Sequence, residues 1–217
     1  MKAKRKRILL YALLLFVAWI TIDINYPFKV DLHQVNAVET ATLDGAMWRS
    51  YYEKKPLTLF MQSAELMRNE FHFPFWRSYL VSYCAAKAAF VFKDGTTRTD
   101  YEKALPYLVK YYSHINDVSS TSFNVDTAAS AELEWWIIRR ERDKHPPVEW
   151  EQLLAKTAAT VYHLPVEKFN VYAHLRVQAM LMRDEKGNNI TEADWQQINK
   201  QLLNAWQSFS VAVKEKS

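Results

Sequence analysis

The sequence predicts an all-α protein in which one transmembrane helix precedes a domain of about eight antiparallel helices. Three observations predict this class: an uncharged apolar run near the N-terminus, helix-start signals that recur along the rest of the chain, and the lack of any alternating strand pattern. Glycine, with 3 residues in 217, is too scarce for a Gly-rich phosphate loop or a serine-hydrolase nucleophile turn.

The first element is a basic segment, residues 1–7. Five of these residues are Lys or Arg, and none is acidic. The whole chain has a net charge of +4, but without this segment it has 23 basic and 24 acidic side chains. The basic charge therefore belongs to a short tail, and the sequence predicts no nucleic-acid partner.

Residues 8–26 are predicted to be a transmembrane signal anchor. The run Ile8–Ile22 contains no charge in 15 residues, and Trp19 and Tyr26 stand where aromatic belts meet the membrane surface. A cleaved signal peptide is the alternative, but bulky residues follow the run where a cleavage site needs small ones. The positive-inside rule places residues 1–7 in the cytoplasm. In a bacterium, the protein would then be a single-pass inner-membrane protein with a periplasmic C-terminal domain.

Residues 27–35 are predicted to be a linker, and residues 36–217 to be the exported helical domain. A capping box of Thr99 and Glu102 starts the fourth helix of this domain, and Pro106 inside that helix predicts a kink. Short connections predict antiparallel neighbours, arranged as a solenoid or as a bundle. The predicted helices cover residues 36–54, 56–70, 74–92, 99–116, 124–144, 147–162, 165–185 and 191–213.

A family resemblance covers residues 74–113. Its residues are an alanine-rich helix followed by Tyr101, Ala104, Leu105, Tyr107, Leu108 and Tyr111. This pattern resembles the second helix of a tetratricopeptide-type repeat and the small-residue partner on which that helix packs. The resemblance implies stacked helical hairpins and, by extension, a concave face that binds a protein.

Two carboxylates lie inside the apolar segment Ala128–Asp143. Glu132 and Glu134 are two residues apart and therefore point to different sides of one helix. A buried carboxylate with a raised pKa could act as a general acid or base. The alternative is a structural salt bridge in the core, for which Arg49 and Arg77 are candidate donors.

Aromatic residues next to arginines predict a binding groove for a peptide or a glycan, and ordinary helix packing is the alternative. The candidate binding residues are Trp48, Arg49, Tyr52, Trp76, Arg77, Trp135 and Trp136. None of the six histidines has a glutamate three positions before it, and the single cysteine, Cys84, cannot form a Cys-x-x-Cys pair. The sequence therefore predicts neither a metal site nor a cofactor.

The function that these observations favour is a membrane-anchored extracytoplasmic interaction module. It would bind a protein or a glycan in the cell envelope. The alternative is an enzyme whose acid–base group is Glu132 or Glu134. No recognisable catalytic motif is present, so the sequence favours a role without catalysis.

Overall fold

The structure, a computed structural model, describes residues 2–214, and the side chains of residues 4–214. This part of the chain contains ten α-helices and no strand, which confirms the predicted all-α class. Short 3₁₀ turns at Val166–Phe169 and Gly187–Asn189 precede the last two helices. The helices are α1 (Lys2–Asn25), α2 (Ala37–Tyr52), α3 (Pro56–Asn69), α4 (Phe75–Lys93), α5 (Arg98–Glu102), α6 (Leu105–Val118), α7 (Val125–Arg140), α8 (Pro147–Tyr162), α9 (Asn170–Lys186) and α10 (Glu192–Lys214).

Eight of these helices form a closed antiparallel ring. Each of α2, α3, α4, α6, α7, α8, α9 and α10 packs on the next, and α10 returns to pack on α2. Where the ring closes, Asp44 meets Trp206 and Tyr52 meets Trp195, so α2 and α10 run in opposite directions. Gly45 permits this close approach, because a Cβ there would lie 2.4 Å from Asn199 Oδ1. Of the two arrangements left open by the sequence, the structure therefore has the closed bundle.

The antiparallel ring has two ends. The anchor end contains the first residues of α2, α4, α7 and α9 and the last residues of α3, α6, α8 and α10; the far end contains their opposite termini. Large aromatic side chains fill the space between the helices, among them Tyr112, Phe123, Tyr162, Phe169, Tyr172, Trp206 and Phe209. This main core has members from all eight helices of the ring, and two smaller apolar clusters form around Trp195 and Trp150.

One predicted helix is wrong as drawn. The segment 99–116 forms two helices, α5 and α6, which are separated at Lys103 and Ala104. Pro106 lies in the first turn of α6, where its missing N–H would have no helical partner, so it starts a helix and does not kink one. The capping box is also displaced: Thr97 and Asp100 form it in place of Thr99 and Glu102. The other helices begin and end within a few residues of their predicted bounds, with two exceptions. The fifth, predicted over 124–144, ends at Arg140, and the seventh, predicted over 165–185, starts as the 3₁₀ turn Val166–Phe169 and becomes α-helical at Asn170.

The segment 27–35 has no helix but packs on the anchor end of the ring. The Val30 N–H donates to the Val118 carbonyl at 2.7 Å, and the Val30 carbonyl accepts from Ser120 at 2.9 Å. Ser210 Oγ donates to the Val35 carbonyl at 3.1 Å. This predicted linker is therefore part of the folded domain and holds the end of α1 close to the ring.

Candidate functional site

Helix α1 projects from the ring. Among the described residues, Lys4–Asn25 is the one helix long and apolar enough to cross a membrane, a property that a signal sequence shares. Most of its apolar side chains are exposed, with Leu15 the most exposed at 72%. Near its C-terminus this changes, because Asp23 is only 7% exposed. The polar end of α1 is therefore enclosed by protein while its apolar surface is free.

Asp23 caps α4, a different helix. The residue before α4 is Pro74, which offers no side chain to accept from the free amides of the first turn. Asp23 Oδ1 takes this role: it accepts hydrogen bonds from the backbone N–H groups of Trp76 at 2.8 Å and Arg77 at 3.0 Å. A carboxylate at this place also complements the positive end of the helix dipole.

Arg77, in the first turn of α4, in turn donates hydrogen bonds to the end of α1. Its Nη2 donates to the carbonyl of Tyr26 at 3.0 Å and to the carbonyl of Ile24. These carbonyls belong to the C-terminal end of α1, where helices leave acceptors unpaired. Arg77 is itself 4% exposed. Each helix thus supplies the terminal hydrogen bonds that the other lacks, and we call this arrangement the anchor junction.

Aromatic rings surround the anchor junction. Trp76 contacts Phe16 and Trp19 with ring centroids 5.7 and 5.5 Å apart, and Trp19 stacks on Phe75 at 5.8 Å. Tyr79 continues the group one turn along α4, 5.3 Å from Phe75. These five residues form the aromatic cluster, which joins the last turns of α1 to the start of α4.

A second candidate site lies inside the ring, at Glu132. Tyr112 Oη donates to Glu132 Oε2 at 3.3 Å, and Trp136 Nε1 donates to Oε1 at 2.8 Å. Burial raises the pKa of Glu132, and the two hydrogen bonds and the charge of Arg176 only partly oppose this effect. Glu132 can therefore hold a proton at a higher pH than an ordinary glutamate.

An ion pair lies beside Glu132. Arg176 pairs with Asp44, and Trp206 Nε1 donates to Asp44 Oδ2 at 2.8 Å. The two charged side chains are only 13% and 9% exposed. Burial lowers the pKa of Arg176, but the electrostatic attraction of Asp44, Tyr172 and Glu132 and the hydrogen bond to Asp44 together outweigh burial, so the net pKa is raised. Glu132, Tyr112, Trp136, Asp44, Arg176 and Trp206 form the interior cluster.

The two glutamates predicted as acid–base candidates are separated, as their spacing predicts. Glu134 lies on the outside of α7, where Arg98 Nη1 donates to it at 3.3 Å. It borders a shallow depression of about 450 Å³ between α7 and α8, which Asp126 and Lys156 also line. Because burial raises the pKa of Glu132, Glu132 is the stronger of the two acid–base candidates.

The arginines expected to pair with these glutamates lie elsewhere. Arg49 is exposed at the far end and pairs with Glu53 and Glu192, and Arg77 belongs to the anchor junction. In the described residues, Glu132 has hydrogen bonds to Tyr112 and Trp136 but no ion pair within 4.0 Å. The predicted salt bridge in the core exists, but Asp44 and Arg176 form it.

The predicted binding residues do not share one groove. Trp48 and Tyr52 pack on one apolar cluster that contains Trp195, and Arg49 lies over the Trp195 ring. Trp136 instead contacts Glu132 inside the ring. Trp135 packs in a separate apolar cluster with Ile138, Trp150 and Val177, while Trp76 and Arg77 form the anchor junction. The seven predicted binding residues, Arg49 included, are therefore distributed over four different environments.

Sequence reasoning missed Asp23, Asp44 and Arg176. Each had a visible signal. Asp44 and Arg176 are single charges among apolar residues in the middle of helical segments, a pattern typical of a buried pair. Asp23 follows the apolar run directly and was counted as part of the membrane span.

An exposed apolar patch lies on the outer face of α3 and α4. Leu57 is 80% exposed, Met61 52%, Tyr83 57% and Phe90 51%. The contact of Ser63 with Ser82 and of Arg68 with Phe75 sets the antiparallel register, which puts Met61 level with Tyr83 and Leu57 close to the level of Phe90. We call these four residues the α3–α4 patch.

Within the described residues, no group of three His, Cys, Asp or Glu side chains could hold a metal ion. Comparison with known proteins finds no matching family, no matching characterised protein and no matching solved structure. The anchor junction, the interior cluster and the α3–α4 patch are therefore the features from which a function can be inferred.

Proposed function

We propose that the protein is a membrane-anchored interaction module of the bacterial cell envelope. In this proposal, α1 is an uncleaved anchor in the inner membrane and the ring is a periplasmic domain that binds a protein partner. The observation that carries the proposal is the anchor junction. Removal of α1 would leave the first amides of α4 without Asp23 and would leave Arg77 buried without its carbonyl partners. Retention of α1 therefore stabilises the domain.

The charge of the chain supports the orientation. The basic residues 1–7 precede the apolar run, and the positive-inside rule keeps such a segment in the cytoplasm. The ring follows the other end of α1 and would lie in the periplasm. Cys84, the single cysteine, is buried in α4, so the fold would be independent of disulfide formation in that compartment.

The α3–α4 patch supports a protein partner more than a glycan. Contiguous exposed apolar surface is typical of sites that bind other proteins. Leu57 and Met61 have no polar edge with which to orient a sugar, whereas flat rings with hydroxyls would suit one. The resemblance of residues 74–113 to a tetratricopeptide-type repeat implies the same class of partner, with the second helix of the repeat divided here between α5 and α6.

Anchoring is tested with the full chain in a Gram-negative bacterium. We expect the membrane-bound protein to have the mass of the uncleaved chain and a reporter after residue 217 to be active only in the periplasm. A mature protein that begins near residue 26, or a reporter active in the cytoplasm, would contradict the proposal.

Binding is tested by photo-crosslinking in living cells. A benzophenone amino acid is placed at Met61 or Tyr83, and at Val148, an equally exposed apolar residue at the start of α8 and the far end of the ring, as the matched control. We expect one discrete adduct, the same at both patch positions, which Leu57→Glu abolishes. If no adduct forms, or if Val148 gives the same adduct, the α3–α4 patch is not the binding surface.

The second candidate function is an acid–base or ligand site at Glu132. The observation that favours it is a half-buried carboxyl inside the ring, with a raised pKa and neutral hydrogen-bond partners. Native mass spectrometry of the purified full chain would show whether a small molecule is bound. We expect Glu132→Gln to release it and the surface control Glu134→Gln to retain it; an identical spectrum for both variants would exclude this function.

A further inference from the structure

We propose that the anchor end of the ring lies in the outer half of the bilayer, with the residues that follow α1 at the interfacial layer and the aromatic cluster against the lipid below it. This inference rests on the proposed anchoring by α1. In this position the ring is a folded domain with one end embedded in the membrane, and not a domain tethered above it.

The length of the apolar run is the first argument. Ile8–Ile22 has 15 uncharged residues, which span about 22 Å as a helix, whereas the hydrocarbon core is about 30 Å thick. With Arg7 at the cytoplasmic boundary, Phe16 lies about 13 Å further along the helix, close to the middle of the bilayer. The run is therefore too short to carry Asp23 across the membrane and into water.

The contacts of Phe16 give the second argument. Its ring lies 5.7 Å from the ring of Trp76, a residue of the folded domain. A residue near the bilayer centre and a residue in bulk water cannot be in contact, because half of the hydrocarbon core and a headgroup layer would separate them. The start of α4 must therefore enter the outer half of the membrane if α1 spans it.

The third argument is that the hydrogen bonds of the anchor junction lower the free-energy cost of placing the start of α4 in lipid. Within or near hydrocarbon, each backbone group without a partner costs several kcal/mol. The carbonyls of Ile24 and Tyr26 accept from Arg77, and the first amides of α4 donate to Asp23. These backbone groups, which would otherwise oppose insertion, therefore have partners within the protein, whereas Arg77 Nε and Nη1 and Trp76 Nε1 are buried without a partner in the described residues.

The exposed aromatic residues that follow α1 fit a position at the outer membrane interface. Tyr26 is 56% exposed and Phe28 39%, with ring centroids 4.7 Å apart. Both lie beside the anchor junction. The ring and hydroxyl of Tyr26 suit the interface between lipid tails and headgroups, and the apolar ring of Phe28 suits the lipid tails next to it. The lipid of the outer leaflet is therefore the occupant that this surface fits.

The test measures depth with nitroxide labels on the full chain in nanodiscs of phosphatidylethanolamine and phosphatidylglycerol. Single cysteines replace Tyr26 or Phe28 in a Cys84→Ala background. Leu14→Cys reports on the span, and Leu57→Cys, at the far end, is the control in water. Relaxation by oxygen and by a water-soluble nickel complex gives the ratio of their accessibilities, which rises with depth in lipid.

We expect the oxygen-to-nickel ratio at Tyr26 and Phe28 to be several-fold higher than at Leu57 and lower than at Leu14. A ratio at Tyr26 and Phe28 equal to that at Leu57, with Leu14 in lipid, would overturn the position proposed here but leave the anchor intact. Low accessibility of Tyr26 to both reagents would mean that a second copy covers the surface, which also overturns the lipid contact. If Leu14 itself is in water, the anchoring fails and this inference fails with it.

Discussion

Asp23→Ala is the change that most directly tests the anchor junction. It removes the acceptor of the Trp76 and Arg77 amides, and Pro74 leaves no substitute. Loss of an N-cap side chain costs about 0.5–2 kcal/mol. Loss of a favourable charge at a partly buried helix N-terminus adds up to about 2 kcal/mol. Since the two effects overlap at one carboxylate, we expect a total of about 2–3 kcal/mol.

Amide hydrogen exchange measures this loss where it occurs. With the full chain in nanodiscs, a local loss of about 2–3 kcal/mol accelerates exchange of the Trp76 and Arg77 amides by about 30- to 150-fold. Asp23→Asn keeps an acceptor oxygen and loses the charge, so its effect should be smaller, about 1 kcal/mol. Asp126→Ala is the matched control, because Asp126 is an exposed acid in the first turn of α7 and Asn124 keeps the cap of that helix.

The outcome that refutes this reasoning is equally local. If Asp23→Ala changes exchange at the start of α4 no more than Asp126→Ala changes it at the start of α7, Asp23 is not the cap of α4. The contribution of the junction to anchoring would then have to be abandoned, whatever the overall stability of the variant.

Three further predictions concern the ring. Burial raises the pKa of Glu132 above its ordinary value of 4.5, so the stabilising protonated form is lost as pH rises through that raised pKa. Denaturation at several pH values should therefore show Glu132→Gln gaining stability over the wild type from pH 4 to pH 8. A difference in stability that does not change with pH would contradict this prediction. Arg176→Met leaves Asp44 buried without its cation and should lower the free energy of unfolding by about 3–5 kcal/mol in the same assay. The double variant with Asp44→Asn should lose less stability than the two single variants added together. Thr97→Ala should cost about 1 kcal/mol and Thr99→Ala almost nothing; equal effects would mean that the capping box is not at Thr97.

The helices were predictable because their signals are local. Caps, prolines at first turns and the helical period lie within each segment and need no information from the rest of the chain. The error at α5 shows the limit of this reasoning. Thr97 and Thr99 each have an acid three residues later, so both fit a capping box. Packing decides between them: the box at Thr97 lets Tyr101 bury its ring against Phe92, 4.7 Å away.

The partners of the buried charges could not be predicted from the sequence. Asp44 and Arg176 are 132 residues apart and meet only because α10 closes the ring against α2 and α9. A single charge in an apolar helix face shows that a partner is needed, but local sequence does not name it. The same holds for Asp23, whose two donors lie 53 and 54 residues further along the chain.

The anchor junction and the α3–α4 patch share one helix, and this has a consequence for the kind of partner proposed. Helix α4 has 19 residues and is about 28 Å long; its first residues hold the anchor, and Phe90 of the patch lies close to its end. With the first turn of α4 fixed to α1, the patch cannot move far from the membrane or turn freely about it. Such restriction would be a disadvantage for a partner that diffuses in the periplasm. For a partner that is itself fixed in the membrane it removes orientational freedom before binding, which lowers the entropic cost of association.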